Sequence, residues 1–126
     1  MMNRNPYAKY KESSTTTSSK EELTLMLYEG ALKFSNQAVA AIESNDAKRA
    51  HELIIKVQDI IQEFRVTLNK KYEIAFEFDR LYEYIIRRLV EANIKKDAEI
   101  MKEVRDLIRD FRDTWKEAMI IAKKVR

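Results

Sequence analysis

Apolar residues recur at alternating spacings of three and four along most of this chain, the period of an amphipathic helix rather than of a strand. The first run is Leu23, Leu27, Ala31, Phe34, Ala38 and Ile42, and the second is Leu53, Val57, Ile60 and Phe64. A third follows at Ile74, Phe78, Leu81, Ile85 and Leu89, and a fourth at Ile100, Val104, Leu107, Phe111, Trp115 and Ala118. Each run predicts one helix with its apolar stripe turned to a common core. Polar breaks separate them. Ser19 and Glu22 have the spacing of a capping box, in which each side chain satisfies a backbone N–H of the other, so the first helix starts there and runs to about Glu43. Asp46 is placed to cap a second helix reaching about Asn69, a third covers roughly Glu73 to Ala92, and Asp97 caps a fourth that continues nearly to the C-terminus. Connections this short make consecutive helices antiparallel neighbours, so the expected fold is all-α, an up-down-up-down four-helix bundle over residues 19–126. Residues 1–18, with Pro6, Tyr7 and Tyr10 ahead of a Ser/Thr run, read as a flexible N-terminal arm.

A stripe about 100° wide suffices for a core-facing helix, yet a second apolar line runs beside each first one. It comprises Leu25, Tyr28, Leu32 and Val39; then Ile54, Ile61 and Leu68; then Tyr82, Ile86 and Val90; then Met101, Ile108 and Met119. Either the bundle has a wide core or the surplus lines grooves for a partner helix, a use that favours Tyr and Met. On the second reading the partner-binding candidates are Leu25, Tyr28, Leu32, Ile54, Ile61, Tyr82, Ile86 and Val90. Tyr7 and Tyr10 join them because one helical turn would put both rings on one side of an arm able to cover a groove. Tyr82 and Tyr84 cannot both face the core, so one of them should be accessible or hydrogen-bonded at the rim.

Composition narrows the chemistry. One Gly and one Pro in 126 residues argue against sheets and their tight turns. That glycine, Gly30, falls in mid-helix, where it costs about 1 kcal/mol relative to Ala and is offset either by close packing within the bundle or by close approach of a partner. Phosphate-cradling loops, nucleophile elbows and dinucleotide fingerprints all need glycines that are not there. With no Cys and a single His, His51, thiolate, haem and di-iron centres lack their ligands, so neither cofactor nor catalysis is expected. Lys and Arg number 24 against 21 Asp and Glu, interspersed rather than blocked, a pattern unlike a nucleic-acid footprint. Arg87, Arg88, Lys95, Lys96 and the basic C-terminal tail read as a solvated face or as steering for an acidic partner. No run is apolar enough for a signal-peptide core or a membrane span, so a cytoplasmic protein without membrane insertion is expected.

The segment Glu22-Leu23-Thr24-Leu25-Met26-Leu27-Tyr28-Glu29-Gly30-Ala31-Leu32-Lys33-Phe34 resembles the first helix of the flagellar secretion chaperone family FliS. Ile60 to Asn69, Leu81 to Asn93 and Asp110 to Ala118 resemble its later blocks in the same order, and Tyr7 and Tyr10 resemble its tyrosine arm, so the likeness spans nearly the whole chain. Residues 70–74 lack the glycine pair many members carry, and Ser18-Ser19-Lys20 lacks the proline often found before the first helix. The resemblance implies a cytoplasmic chaperone that binds the disordered C-terminal region of flagellin and prevents its premature polymerisation. It also implies assistance in delivery to the flagellar type III export apparatus, through contact with an export-gate component. A general helical adaptor for another protein partner is the alternative, and exposed grooves would also permit a weak homodimer.

Overall fold

The protein, a computed structural model, is described over residues 19–124. The predicted arm, with Tyr7 and Tyr10, lies outside the described residues. Four helices follow one another: α1 (Lys20–Glu43), α2 (Ala47–Thr67), α3 (Ile74–Lys95) and α4 (Ala98–Lys124). Their starts obey the expected chemistry. Ser19 Oγ accepts from Glu22 N–H at 3.1 Å while Ser19 N–H donates to Glu22 Oε1 at 3.0 Å, and Asp46 accepts from Arg49 N–H. Asp97 Oδ1 accepts from the Glu99 and Ile100 N–H groups. Only α3 starts without a side-chain cap, at Glu73. It also runs past the expected end at Ala92, because Lys96 takes the left-handed conformation at φ 51° and so closes the last turn.

The pairings fix an antiparallel square. Tyr28 meets Phe64 and Phe34 meets Lys56 across α1 and α2; Arg65 meets Asp79 and His51 meets Asn93 across α2 and α3. Phe78 meets Phe111 and Arg88 meets Glu103 across α3 and α4, while Glu29 meets Arg112 and Glu43 meets Lys102 across α1 and α4. In every pair the numbers rise on one helix as they fall on the other. No backbone contact joins α1 to α3 or α2 to α4.

A square bundle gives each helix two neighbours, so a wide apolar arc goes inward, and this resolves the surplus lines. Tyr28, Leu32, Val39, Ile54, Ile61, Met101 and Ile108 are all core residues. On α3 the expected stripe holds at Ile85 and Leu89 but fails before them: Tyr82 is buried at 4% exposure, whereas Ile74 at 54% and Leu81 at 43% are open. The inward face of α3 is Ala75, Tyr82, Ile85, Leu89 and Ala92. Small residues at Ala31, Ser35 and Ala38 let α1 pack closely, and the buried Ser35 hydroxyl donates to Ala31 O at 2.7 Å.

At the centre, Tyr28, Phe64, Phe78, Tyr82 and Phe111 interlock with ring centroids 4.5 to 6.4 Å apart and draw a ring from every helix. Within that cluster the Tyr28 and Tyr82 hydroxyls bond each other at 3.0 Å, the one polar link across the α1/α3 diagonal. Burial pushes both phenols above the ordinary tyrosine range.

Two predictions follow from this core. Tyr28→Phe strands the Tyr82 hydroxyl and should cost about 1 to 3 kcal/mol in denaturant unfolding, while Tyr28→Phe/Tyr82→Phe should recover most of that loss. Because both folded-state phenols ionise above their unfolded value of about 10, their stabilisation is present below that pH and lost as pH rises above it. Base titration of the wild type should therefore show a steeper melting-temperature decline than the doubly substituted protein, which keeps only the contributions of other raised groups such as Tyr84 and Lys102.

Candidate partner-binding surface

Among the described residues no group of three or more His, Cys, Asp or Glu is placed to hold a metal. His51 is exposed, and its Nδ1 pairs with the Asn93 side chain at 2.9 Å. The basic residues that end α3 are engaged. Arg88 bonds Glu91 and Glu103, Lys95 bonds Glu91, Lys96 bonds Asn93, and Arg87 sits 5.7 Å over the Tyr84 ring. No helix of the structure is long and apolar enough to cross a membrane.

The eight candidates within the described residues divide. Tyr28, Leu32, Ile54, Ile61 and Tyr82 are at most 8% exposed and face inward, so they line no outer groove of this bundle. Their apolar character serves the core because each helix must face two neighbours. Leu25 and Ile86 are half-buried and Val90 is 41% exposed, so these three are accessible. Leu25 borders a shallow depression of about 330 Å³ with Met26, Glu29, Gly30 and Lys33 on the outside of α1. Gly30 forms part of its wall.

Ile86 lies on the edge of α3 that faces α2. Asp79 and Asn93, seven positions before and after it, both bond α2: Asp79 accepts two bonds from Arg65 at 2.8 and 3.2 Å, and Asn93 meets His51. Next to this seam, Ile55 on α2 and Val90 and Ile94 on α3 are exposed, so an apolar strip runs along the α2/α3 surface between two polar staples. Tyr84 takes the place expected for one of the paired tyrosines at the rim: half-buried, it donates to Glu103 on α4.

Below that Tyr84–Glu103–Arg88 staple the α3/α4 seam opens. Phe78 touches Phe111 with centroids 6.2 Å apart, yet Phe78, Leu81 and Ile74 all remain exposed at 36, 43 and 54%. They lie at helical spacing on the side of α3 that runs into the core higher up. Opposite them α4 presents Leu107 and Phe111, both half-buried, and further down the exposed Ala118 and Ile121. The groove results from unequal lengths: α4 has 27 residues and α3 has 22, so the last turns of α4 have α1 beside them but no α3. The Trp115 indole N–H donates to Glu21 O at 3.0 Å and pins this overhang to the first turn of α1. Between them a cavity of about 390 Å³ opens into the end of the bundle, walled by Leu23, Leu27, Phe64, Thr67 and Trp115 among others.

Sequence reasoning assigned Ile74, Phe78 and Leu81 to the core. The signal that could have corrected it is the start of α3, where Ile74, Ala75, Phe76 and Phe78 put apolar groups on all sides of a helix with no capping residue.

Carboxylates in the staples are held in the charged form. The Tyr84 hydroxyl and Arg88 lower the Glu103 pKa, Lys95 lowers that of Glu91, and Arg65 lowers that of Asp79. A lowered folded-state pKa contributes stability above the unfolded carboxylate range and loses it as pH falls. Thermal melts between neutral and acid pH should therefore show a falling midpoint, and Glu103→Gln should flatten that fall. The half-buried Asp59 runs the other way, its pKa raised by burial.

Comparison with known proteins bears on the family and the fold. Residues 2–122 match the family model described as flagellar protein FliS. The chain is 47% identical over 122 residues to the flagellar secretion chaperone FliS of Bacillus subtilis, covering 97% of this chain and 92% of that one. It is 31% identical over 112 residues to the Escherichia coli flagellar secretion chaperone FliS, covering 86% and 82%. A bacterial flagellar chaperone solved by crystallography superposes with a TM-score of 0.74 at 16% identity, over 90% of this chain and 94% of the other, which supports the helical fold. With a family match over almost its whole length and curated relatives above 30% identity, the chain belongs to the FliS family of flagellar secretion chaperones.

Proposed function

We propose that this chaperone acts in the cytoplasm on flagellin, binding its disordered C-terminal region, keeping it from polymerising early and assisting its delivery to an export-gate component of the flagellar type III apparatus. The observation that carries the reading is the α3/α4 groove, where core-type side chains Ile74, Phe78 and Leu81 line up with no helix of the described chain covering them. An amphipathic segment laid there would complete the apolar packing that the bundle leaves open, the mode of a helix in a groove. A disordered segment fits because its ordering entropy is spent only while bound. Ile86, Val90 and Leu25 extend the accessible apolar surface, and Tyr7 and Tyr10 would belong to an arm that covers part of it until the partner arrives.

A general adaptor for another helical partner would use the same groove. A nucleic-acid binder would need free cations, and Arg87, Arg88 and Lys95 on α3 are engaged.

Calorimetric titration with a flagellin C-terminal fragment should give saturable one-to-one binding with a negative heat-capacity change, and far less salt dependence than phosphate contacts would produce. Ile74→Asp and Leu81→Asp should each weaken it about tenfold or more with little change in melting temperature, since both side chains are more than 40% exposed and neither belongs to the buried core cluster. Removing residues 2–18 should change the affinity. Unaltered binding in all three would count against the groove as the docking surface.

A further inference from the structure

The protein as a whole is cationic, with a net charge of +3. The open α3/α4 groove runs against that balance. Its floor is apolar, but its rim carries Glu73 and Glu77 at the start of α3 and Asp110 and Glu117 on the outer edge of α4, with Arg80 on α3 and Lys124 at the end of α4 as cations on the same edges. The α4 pair is placed by helix geometry: Glu103, which reaches across to α3, lies seven positions before Asp110, and Asp110 lies seven before Glu117. All three carboxylates therefore sit on one edge of α4. Glu103 is engaged by Tyr84 and Arg88 from α3, where the seam is closed.

Asp110 and Glu117 lie where it is open, are exposed, and form no ion pair among the described residues. Other carboxylates of α4 behave differently. Glu99 is paired to Lys102, Asp106 to Arg105 and Arg109, and Asp113 to Arg112. On α4 the unpaired acids thus lie beside the unpaired apolar groups.

We infer that the α3/α4 groove is built for an amphipathic helix that carries Lys or Arg beside its apolar stripe, with the stripe on Ile74, Phe78, Leu81, Leu107 and Phe111 and the cations on Asp110 and Glu117. The inference rests on the reading above only in taking the groove as a partner surface, and it adds the charge that the occupant must bring. Apolar contact supplies affinity, while the rim selects the partner's charge and fixes which way the helix lies, the usual division between core and rim of an interface. From Leu107 to Ile121 the α4 wall measures about 20 Å at 1.5 Å per residue, enough for roughly four turns of such a helix.

The test uses the full chain and two synthetic amphipathic helices of about 18 residues with the same Leu/Ala face, one flanked by Lys and the other by Glu. Titrations are run at low and high salt on the wild type, on Asp110→Lys/Glu117→Lys, and on a control with the same charge change away from the groove, Glu52→Lys/Glu83→Lys. Both α4 positions are exposed and unpaired, so the fold should survive, which circular dichroism checks. The wild type and control should bind the Lys-flanked helix about tenfold tighter than the Glu-flanked one at low salt, with the preference shrinking at high salt and reversing in Asp110→Lys/Glu117→Lys. Equal binding of the two helices, preference for the Glu-flanked one, or no binding of either overturns the inference. The flagellin fragment is titrated alongside. If the Lys-flanked helix binds as expected and the fragment does not, the flagellin reading fails and the groove assignment stands. If the fragment binds the wild type and the reversed variant equally, the charge assignment fails and the chaperone reading stands.

Discussion

Everything in this bundle hangs on five rings. Tyr28, Phe64, Phe78, Tyr82 and Phe111 come from all four helices, and their contacts set the level at which each helix crosses the others. The buried Tyr28–Tyr82 bond then ties the diagonal that no backbone contact spans. Two hydroxyls that satisfy each other make that polar link tolerable inside an apolar core, where either alone would be a penalty. The cluster is closed on three sides. On the fourth, Phe78 is both a member of it and 36% exposed, so the core of the protein reaches the surface at the α3/α4 groove.

That opening is arranged rather than accidental in position. The α1/α4 seam carries three polar links, at Trp115–Glu21, Arg112–Glu29 and Lys102–Glu43, distributed along its length. The α2/α3 seam is stapled at both ends by His51–Asn93 and Arg65–Asp79. The α3/α4 seam has its staple, Tyr84 and Arg88 on Glu103, only in its upper half. Partly exposed pairs of this kind add little stability each, but they decide register. Where they stop, α3 has no polar tie to α4 and its first turns keep their apolar groups uncovered. A docking helix for an aggregation-prone segment needs such a surface on a frame that does not itself unfold when the surface is exposed.

Much of this was legible in the sequence, and the exceptions have physical causes. Helix number, order and the capping residues Ser19, Asp46 and Asp97 followed from periodicity and local hydrogen bonding, which act over a few residues. The division between core and surface on α3 did not. Tyr82 reads as amphipathic, and its burial depends on Tyr28, a residue 54 positions away, meeting its hydroxyl. Ile74, Phe78 and Leu81 have the correct spacing for a core stripe, and indeed occupy that face; they are exposed where the α3/α4 seam opens, and the only trace of this in the sequence is the uncapped start of α3 with apolar residues on all sides. Leu25, Ile86 and Val90 are accessible, whereas Tyr28, Leu32, Ile54, Ile61 and Tyr82 are absorbed by the two-neighbour requirement of a square bundle, and the apolar pattern that all eight share does not separate the two groups.

The most direct measurement is a methyl NMR titration of the labelled protein with a flagellin C-terminal fragment. The account predicts shifts concentrated on the methyls of Ile74, Leu81, Leu107 and Ile121, with Ile86 and Val90 next, while the buried Ile54, Ile60 and Leu53 stay in place. Shifts confined to the outer faces of α1 and α2, or spread through the buried methyls as in a wholesale repacking, would contradict it.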